Sequence, residues 1–287
     1  MLRGKAIAST MPRDAWDCGW VKTNPLCPLG PSCFAVSVFL SWEAVMGALD
    51  GKIAVVTGGG TGIGLAIAER FAREGAEVVI AGRRQQRLED AAAQLGHGVR
   101  GVVTDVGDDA QVKRLIDSVP RVDLLVTCAG GAVFGPVEAV PSKAWRDLFN
   151  DRFFGQLSAC HYAVPKMAAG SAIILCSGIA GHAALVNYSG GAGLCGAVNA
   201  MGRSLSVELA PKGIRVNVLS PGLTRDTDID WGVPPEQLGA FMDALVSNIP
   251  LKRPGTVRDM ADAAYFLATC SYATGQVIDI DGGWTAV

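Results

Sequence analysis

Between Ile53 and Gly283 the chain repeats short, nearly continuous apolar runs, most of them separated by stretches of helical periodicity. The runs are IAVVTG, AEVVIAG, VRGVVTDV, VDLLVTCAG, SAIILCS, IRVNVLSPG and GQVIDIDGG. A strand that is apolar on both sides must be covered on both faces, and a parallel sheet between two helix layers does this. Helical spacing of apolar residues predicts helices over 62–74, 85–95, 144–167, 191–209 and 260–268. The expected architecture is α/β, a single doubly wound parallel sheet of about seven strands with helices on both faces. Its crossovers are right-handed, and its ligands lie at the carboxyl ends of the strands.

The first apolar run leads through Thr57, Gly58, Gly59, Gly60, Thr61, Gly62, Ile63 and Gly64 straight into a helical pattern. Glycines at that place let a pyrophosphate approach the backbone, and the helix N-terminus offers it amide donors. Gly58, Thr61, Gly62, Ile63 and Gly64 are therefore candidate cofactor residues of a Rossmann-type domain. An acidic residue at the end of the second strand would bind a ribose 2′-hydroxyl and repel a 2′-phosphate. This chain has Gly82 there, followed by Arg83 and Arg84, whose guanidinium groups suit a phosphate. NADP(H) is the expected cofactor; a solvated helix face is the other use for these arginines.

Of the 287 residues, 49% are hydrophobic and 18% charged, with a formal net charge of −2. No basic surplus exists to neutralise a nucleic acid, and no basic amphipathic stripe marks a membrane surface, so the expected partner is a small-molecule substrate. Cysteines 18, 27, 33, 128, 160, 176, 195 and 270 form no CxxC pair and no zinc-spaced cluster. Reduced thiols, no metal and a cytoplasmic setting are expected. The apolar run at 34–42 is far shorter than the ~20 residues that span a bilayer. Residues 1–45 are rich in Pro, Gly, Cys and Trp without a period, and the sequence after Met46 looks like a domain start. The expected organisation is an N-terminal extension at 1–45, disordered or preceding the true start, and a catalytic domain at 46–287.

TGGGTGIG resembles the TGxxxGxG fingerprint of the short-chain dehydrogenase/reductase family, and further landmarks of that family follow in order. Asp105 and Val106 resemble the pair that holds the adenine. Cys128, Ala129 and Gly130 resemble the end of the NNAG strand. Pro221, Gly222 and Thr224 resemble the segment beside the nicotinamide carboxamide, and Asp281, Gly282 and Gly283 close the last strand. The resemblance spans about residues 47–287. It implies an oxidoreductase acting on a carbonyl or alcohol, and a homo-oligomer, dimer or tetramer, that pairs the helices containing Tyr162 and Ala200.

The same resemblance breaks at the catalytic residues. The family uses a Tyr as general acid or base, a Lys four residues on, a Ser that orients substrate and an Asn that positions water. The ungapped segment RSLSVELAPKGIRVNVLSPG fixes the register. It places Gly191 at the Tyr position, Cys195 at the Lys position, Gly178 at the Ser position and Arg152 at the Asn position. Tyr162 and Lys166 have the right spacing but precede the SAIILCS strand, so they match by chance. Candidates to carry the lost chemistry are Tyr188, Ser177, Arg152 and Cys195, with His182 nearby. Arg152 is expected to project its charge into the space of the missing Lys, and Cys195 to be either an activated thiol or an inert one.

Three functions fit this pattern: an NADP(H)-dependent oxidoreductase with an unconventional proton donor, an isomerase or cyclase on a repurposed fold, and a silent subunit of a hetero-oligomer with an active homologue. Residues 224–254 form the expected substrate loop, with Trp231, Phe241 and Met242 as candidate lid residues.

Overall fold

The structure, a computed structural model, describes residues 47–96 and 98–287. The expectations for residues 1–45 fall outside the described residues.

The strands are β1 (Ile53–Thr57), β2 (Glu77–Gly82), β3 (Val99–Val103), β4 (Leu124–Thr127), β5 (Ala172–Cys176), β6 (Arg215–Pro221) and β7 (Val277–Ile280). They form one seven-stranded sheet in the order β3-β2-β1-β4-β5-β6-β7, and every pairing is parallel. β1 pairs with β2 on one side and β4 on the other, so the order of the chain reverses between β1 and β4. A crevice opens there at the carboxyl ends, where such sheets bind ligands.

The helices are α1 (Gly62–Arg73), α2 (Gln85–Leu95), α3 (Asp109–Asp117), α4 (Ser142–Phe149), α5 (Gly155–Ala163), α6 (Ser189–Leu209), α7 (Pro235–Ser247) and α8 (Val257–Thr269). Two apolar layers result. Val55, Leu125, Ile173 and Val218 face α3, α5 and α6, while Val56, Ile80, Val126 and Ile174 face α1, α2 and α8. Helix α1 shows how the pattern works, because Ile67, Ala68 and Phe71 fall on one face and are fully buried against the sheet. Truncating Phe71 to Ala is expected to cost about 3–5 kcal/mol, measurable as a shift in the midpoint of urea unfolding.

Three helical expectations change. The predicted helix over 144–167 is α4 and α5 joined by a π-helical segment, Asn150–Phe154, and ends in a 3₁₀ turn at Val164–Lys166. Pro165 explains that ending, since it cannot donate within an α-helix. Helix α3 was not expected, although Asp108 caps it by accepting from the Ala110 and Gln111 amides at 2.9 and 3.2 Å. Helix α7 also lies inside the stretch expected as a loop, starting at the Pro234–Pro235 pair that suits a first turn. Among the described residues no helix is long and apolar enough to cross a membrane, and no group of three or more His, Cys, Asp or Glu is set to hold a metal.

Candidate active site

At the end of β1 the chain turns through Gly58, whose φ is +70°. A Cβ there would stand 2.8 Å from backbone atoms of Cys128 and Ala129, so only glycine lets the turn pack on the end of β4. The turn delivers the chain to α1, whose first amides have no partner within the helix. Thr61 precedes α1 in an extended conformation and makes no side-chain cap, so the amides of Gly62, Ile63 and Gly64 are not taken up by a capping side chain. Glycine where a side chain would collide and unpaired amides at a helix N-terminus fit a dinucleotide pyrophosphate.

Around this turn the other sequence-selected residues assemble. The Ala129 amide donates to Thr57 Oγ1 at 3.3 Å. The Asp105 carboxylate accepts from the Gly107 amide at 3.0 Å, and Val106 packs on Gly155. Thr224 Oγ1 donates to the Gly222 carbonyl at 3.0 Å, beyond Pro221 at the end of β6. The two arginines after β2 differ. Arg84 pairs with Asp228 at 3.0 Å, and Arg87 pairs with the same carboxylate. Those arginines, Arg84 foremost, hold Asp228 below the usual carboxylate range. Arg83 is exposed and makes no hydrogen bond to a carboxylate among the described residues.

The missing catalytic side chains leave space that other groups fill. Helix α6 starts at Ser189, and a Cβ on Gly191 would lie 2.1 Å from the Tyr188 ring. The Tyr188 ring thus occupies the room that a side chain at position 191 would need. Tyr188 is only 7% exposed, and Phe134 stacks on it with centroids 4.3 Å apart. The Phe134 ring in turn meets Trp231 at 5.1 Å, and Trp231 faces Phe241 at 6.0 Å. The lid candidates Trp231 and Phe241 therefore continue an aromatic wall that begins at Tyr188. Met242 follows Phe241 on α7 and is half-buried.

Arg152 arises in the π-helical segment, a local widening of the helix that recurs at functional positions. Its stem runs over Gly130, where a Cβ would lie 2.1 Å from Arg152 Cγ; Gly130 also has a φ of +124°. The guanidinium donates to the Gly131 carbonyl at 3.3 Å and the Ser177 carbonyl at 3.1 Å, bridging the ends of β4 and β5. It has no carboxylate partner among the described residues. Burial works against its charge, but Tyr188, Cys195 and Cys176 beside it outweigh this, so its pKa lies above the ordinary arginine value. Burial likewise pushes the Tyr188 hydroxyl above the usual tyrosine range, with Arg152 recovering only part of the shift.

Three sequence candidates take other roles. Ser177 Oγ is buried and donates to the Cys195 carbonyl at 3.1 Å, so the hydroxyl ties the end of β5 to α6. Cys195 is 1% exposed, and its burial raises the thiol pKa despite Arg152 and Ser177, which runs against a reactive thiolate there. His182 turns towards Asn199, 3.2 Å away, and Asp279, 3.8 Å away. Tyr162 binds Asp109, while Lys166 donates to the Ile116 and Val119 carbonyls at 2.9 Å. That pair anchors the helix layer. A groove lined by Leu49, Lys52, Asp123 and Arg215 lies at the opposite, N-terminal end of the strands and takes no part in this site.

The sequence pattern missed the π-helical segment and the aromatic stack, since neither has a local signature in residue spacing. Gly191 was the one available signal, because a glycine in place of a large side chain leaves room for a neighbouring ring.

Comparison with known proteins agrees with this geometry. Residues 58–285 match the family model described as enoyl-(acyl carrier protein) reductase. A glucose 1-dehydrogenase of Gluconobacter oxydans is 33% identical over 249 residues, 82% of this chain and 92% of the relative. The oxidoreductase asL5 of Sarocladium schorii is 34% identical over 244 residues, 82% of this chain and 96% of the relative. The solved structure of an aldohexose dehydrogenase from Thermoplasma acidophilum superimposes with a TM-score of 0.75 at 27% identity, covering 84% of this chain and 97% of that one. A sequence match that runs from the glycine turn almost to the carboxyl terminus, on a sheet shared with solved relatives, leaves one assignment: the chain belongs to the short-chain dehydrogenase/reductase family, oxidoreductases that act on small molecules with a nicotinamide cofactor.

Proposed function

We propose that this protein is an NADP(H)-dependent reductase of a carbonyl compound with an apolar or aromatic body, in which Tyr188 and Arg152 stand in for the family's Tyr and Lys. The observation that carries the proposal is the Tyr188 ring in the room beside Gly191, with its hydroxyl next to the Arg152 guanidinium. The cofactor, when bound, supplies the hydride. Reduction of a carbonyl puts negative charge on its oxygen. A guanidinium without a carboxylate partner stabilises that charge, and a neutral tyrosine hydroxyl beside it donates the proton. Burial keeps Tyr188 protonated at neutral pH, so the site favours giving a proton over taking one. The aromatic wall of Phe134, Trp231 and Phe241 suits an apolar substrate. An isomerase or cyclase and a silent hetero-oligomer subunit lack a comparable observation in their favour. The decisive measurement is single-turnover oxidation of bound NADPH against a panel of aromatic and aliphatic ketones; no turnover with any of them, alongside tight NADPH binding, would count against a reductase.

On this proposal Gly58, Thr61, Gly62, Ile63 and Gly64 hold the pyrophosphate, Asp105 and Val106 the adenine, Ala129 and Gly130 the ribose side, and Pro221, Gly222 and Thr224 the carboxamide. Arg83 is the chief 2′-phosphate partner, since Arg84 is engaged by Asp228. A charge-assisted hydrogen bond of ~1.5–3 kcal/mol gives NADPH an advantage over NADH of about one to two orders of magnitude. A Cβ on Gly82 would meet only Leu88 Cδ2, at 3.7 Å, so Gly82→Asp fits without strain. That variant, combined with Arg83→Ala, is expected to reverse the preference in fluorescence titrations; equal affinities in the unmodified chain would refute the NADP(H) assignment. A cytoplasmic homo-oligomer, dimer or tetramer, is part of the same proposal. Exposed Phe154 just before α5, Leu157 on α5 and Val207 on α6 offer apolar surface for that assembly.

A further inference from the structure

β4 and β5 run in register, with Thr127 opposite Leu175, so the next step places Cys128 opposite Cys176. Neighbouring strands lie about 4.8 Å apart, inside the ~4.4–6.8 Å between Cα atoms that a disulfide bridges. In this register both side chains leave the same face of the sheet, and the two thiols act on each other's titration, Cys128 upward and Cys176 downward. Arg152 reaches over both, since its guanidinium binds the Ser177 carbonyl next to Cys176 and the Gly131 carbonyl just beyond Cys128. Cys176 is 7% exposed and Cys128 half-buried at the crevice. None of the proposed carbonyl chemistry uses either sulfur.

We propose that Cys128 and Cys176 are a redox-sensitive dithiol, which a small hydroperoxide converts to a disulfide across the carboxyl ends of β4 and β5. The Cys128 thiol beside Cys176, with Arg152 assisting, draws the Cys176 pKa down, which makes Cys176 the first sulfur to react; its partner is pushed up by the same contact and by burial. The Cys176 thiolate attacks the terminal peroxide oxygen, forming an S–O bond and breaking the O–O bond, and the departing alkoxide takes up the proton that Cys176 released. The Cys128 sulfur then attacks the sulfenic sulfur, forming the S–S bond, and hydroxide leaves with the Cys128 proton as water. Two thiols and one hydroperoxide give one disulfide, one alcohol and one water; the sulfurs lose two electrons and the peroxide gains them. The backbone of Cys128 backs the Gly58 turn, so closing the bridge acts on the wall of the cofactor crevice.

The test is to treat the full chain with tert-butyl hydroperoxide, block remaining thiols with iodoacetamide and map peptides by mass spectrometry. The expected product is a Cys128–Cys176 bridge that dithiothreitol reverses, that is lost in Cys128→Ser and in Cys176→Ser, and that is kept in Cys270→Ser. Because a serine variant can fail to fold, the unmodified chain is also titrated with phenylarsine oxide, which bridges two close thiols. It should protect Cys128 and Cys176 together from iodoacetamide. Pairing of Cys176 with Cys195, oxidation that stops at a sulfinic acid on Cys176, or arsenical protection of neither cysteine would overturn the proposal. These readouts do not use turnover, so failure here is distinct from failure of the reductase assignment.

Discussion

Tyr188→Phe is expected to lower the rate of carbonyl reduction by about 10²- to 10⁴-fold, the usual worth of a positioned general acid, with NADPH affinity changed by no more than about twofold. The substitution keeps the ring stacked on Phe134 at 4.3 Å and filling the room at Gly191, so only the hydroxyl is lost. The pH profile gives the sign. Burial raises the Tyr188 pKa above the ordinary tyrosine range and Arg152 offsets only part of this, so the acid form dominates through neutral and moderately alkaline pH. Reduction, which uses the acid form, should stay flat over that interval and fall only as pH rises through the elevated pKa. Oxidation of the corresponding alcohol needs the tyrosinate and should climb with pH over the same alkaline range. Arg152→Met removes the charge that favours tyrosinate, so its oxidation limb should move to still higher pH. If Tyr188→Phe turns over at the unmodified rate, Tyr188 is a packing residue and the proton comes from elsewhere.

The sheet was legible because burial on both faces forces continuous apolar runs, and such runs survive any detail of side-chain packing. All seven strands fall within the predicted runs. Helices α3 and α7 were less legible for opposite reasons. The cap at Asp108 is a local signal that apolar spacing alone overlooks, while α7 buries none of its residues and so shows little contrast between its faces. At the site the glycine turn was readable since its chemistry is backbone chemistry, written in residues that lack a Cβ. The fate of the catalytic centre was not. Register identifies Gly191 and Cys195 as replacements, but whether Tyr188 points into the gap depends on the turn before α6 and on Phe134, which is remote in sequence. Arg152 shows the same limit, because its reach over Gly130 depends on a π-helical widening that residue spacing does not encode.

Rebuilding the family's side chains in this chain should fail while Tyr188 remains. From register alone, Gly191→Tyr with Cys195→Lys should need only Arg152→Asn and Gly178→Ser beside it, because a lysine near a guanidinium has its pKa lowered and activates tyrosine poorly. The structure adds a steric obstacle, since the first carbon of any side chain at position 191 would overlap the Tyr188 ring at 2.1 Å. Insertion into a filled site costs about 1–3 kcal/mol and more where the neighbour cannot move. Here Phe134 stacks on Tyr188 and only 7% of Tyr188 is exposed, which places Gly191→Tyr at about 3 kcal/mol or above. The fourfold variant should therefore unfold at lower urea and reduce a generic ketone no faster than the unmodified chain. Adding Tyr188→Ala empties the room that the new tyrosine needs, while Arg152→Asn takes the competing charge away from the new lysine. The fivefold variant should recover stability and exceed the fourfold one in kcat/KM by at least about 100-fold, equivalent to ~2.7 kcal/mol of transition-state stabilisation. Equal activity in the two would mean that the Tyr188 ring swings clear of position 191, and that its place beside Arg152 is not held firmly enough to serve as a proton donor.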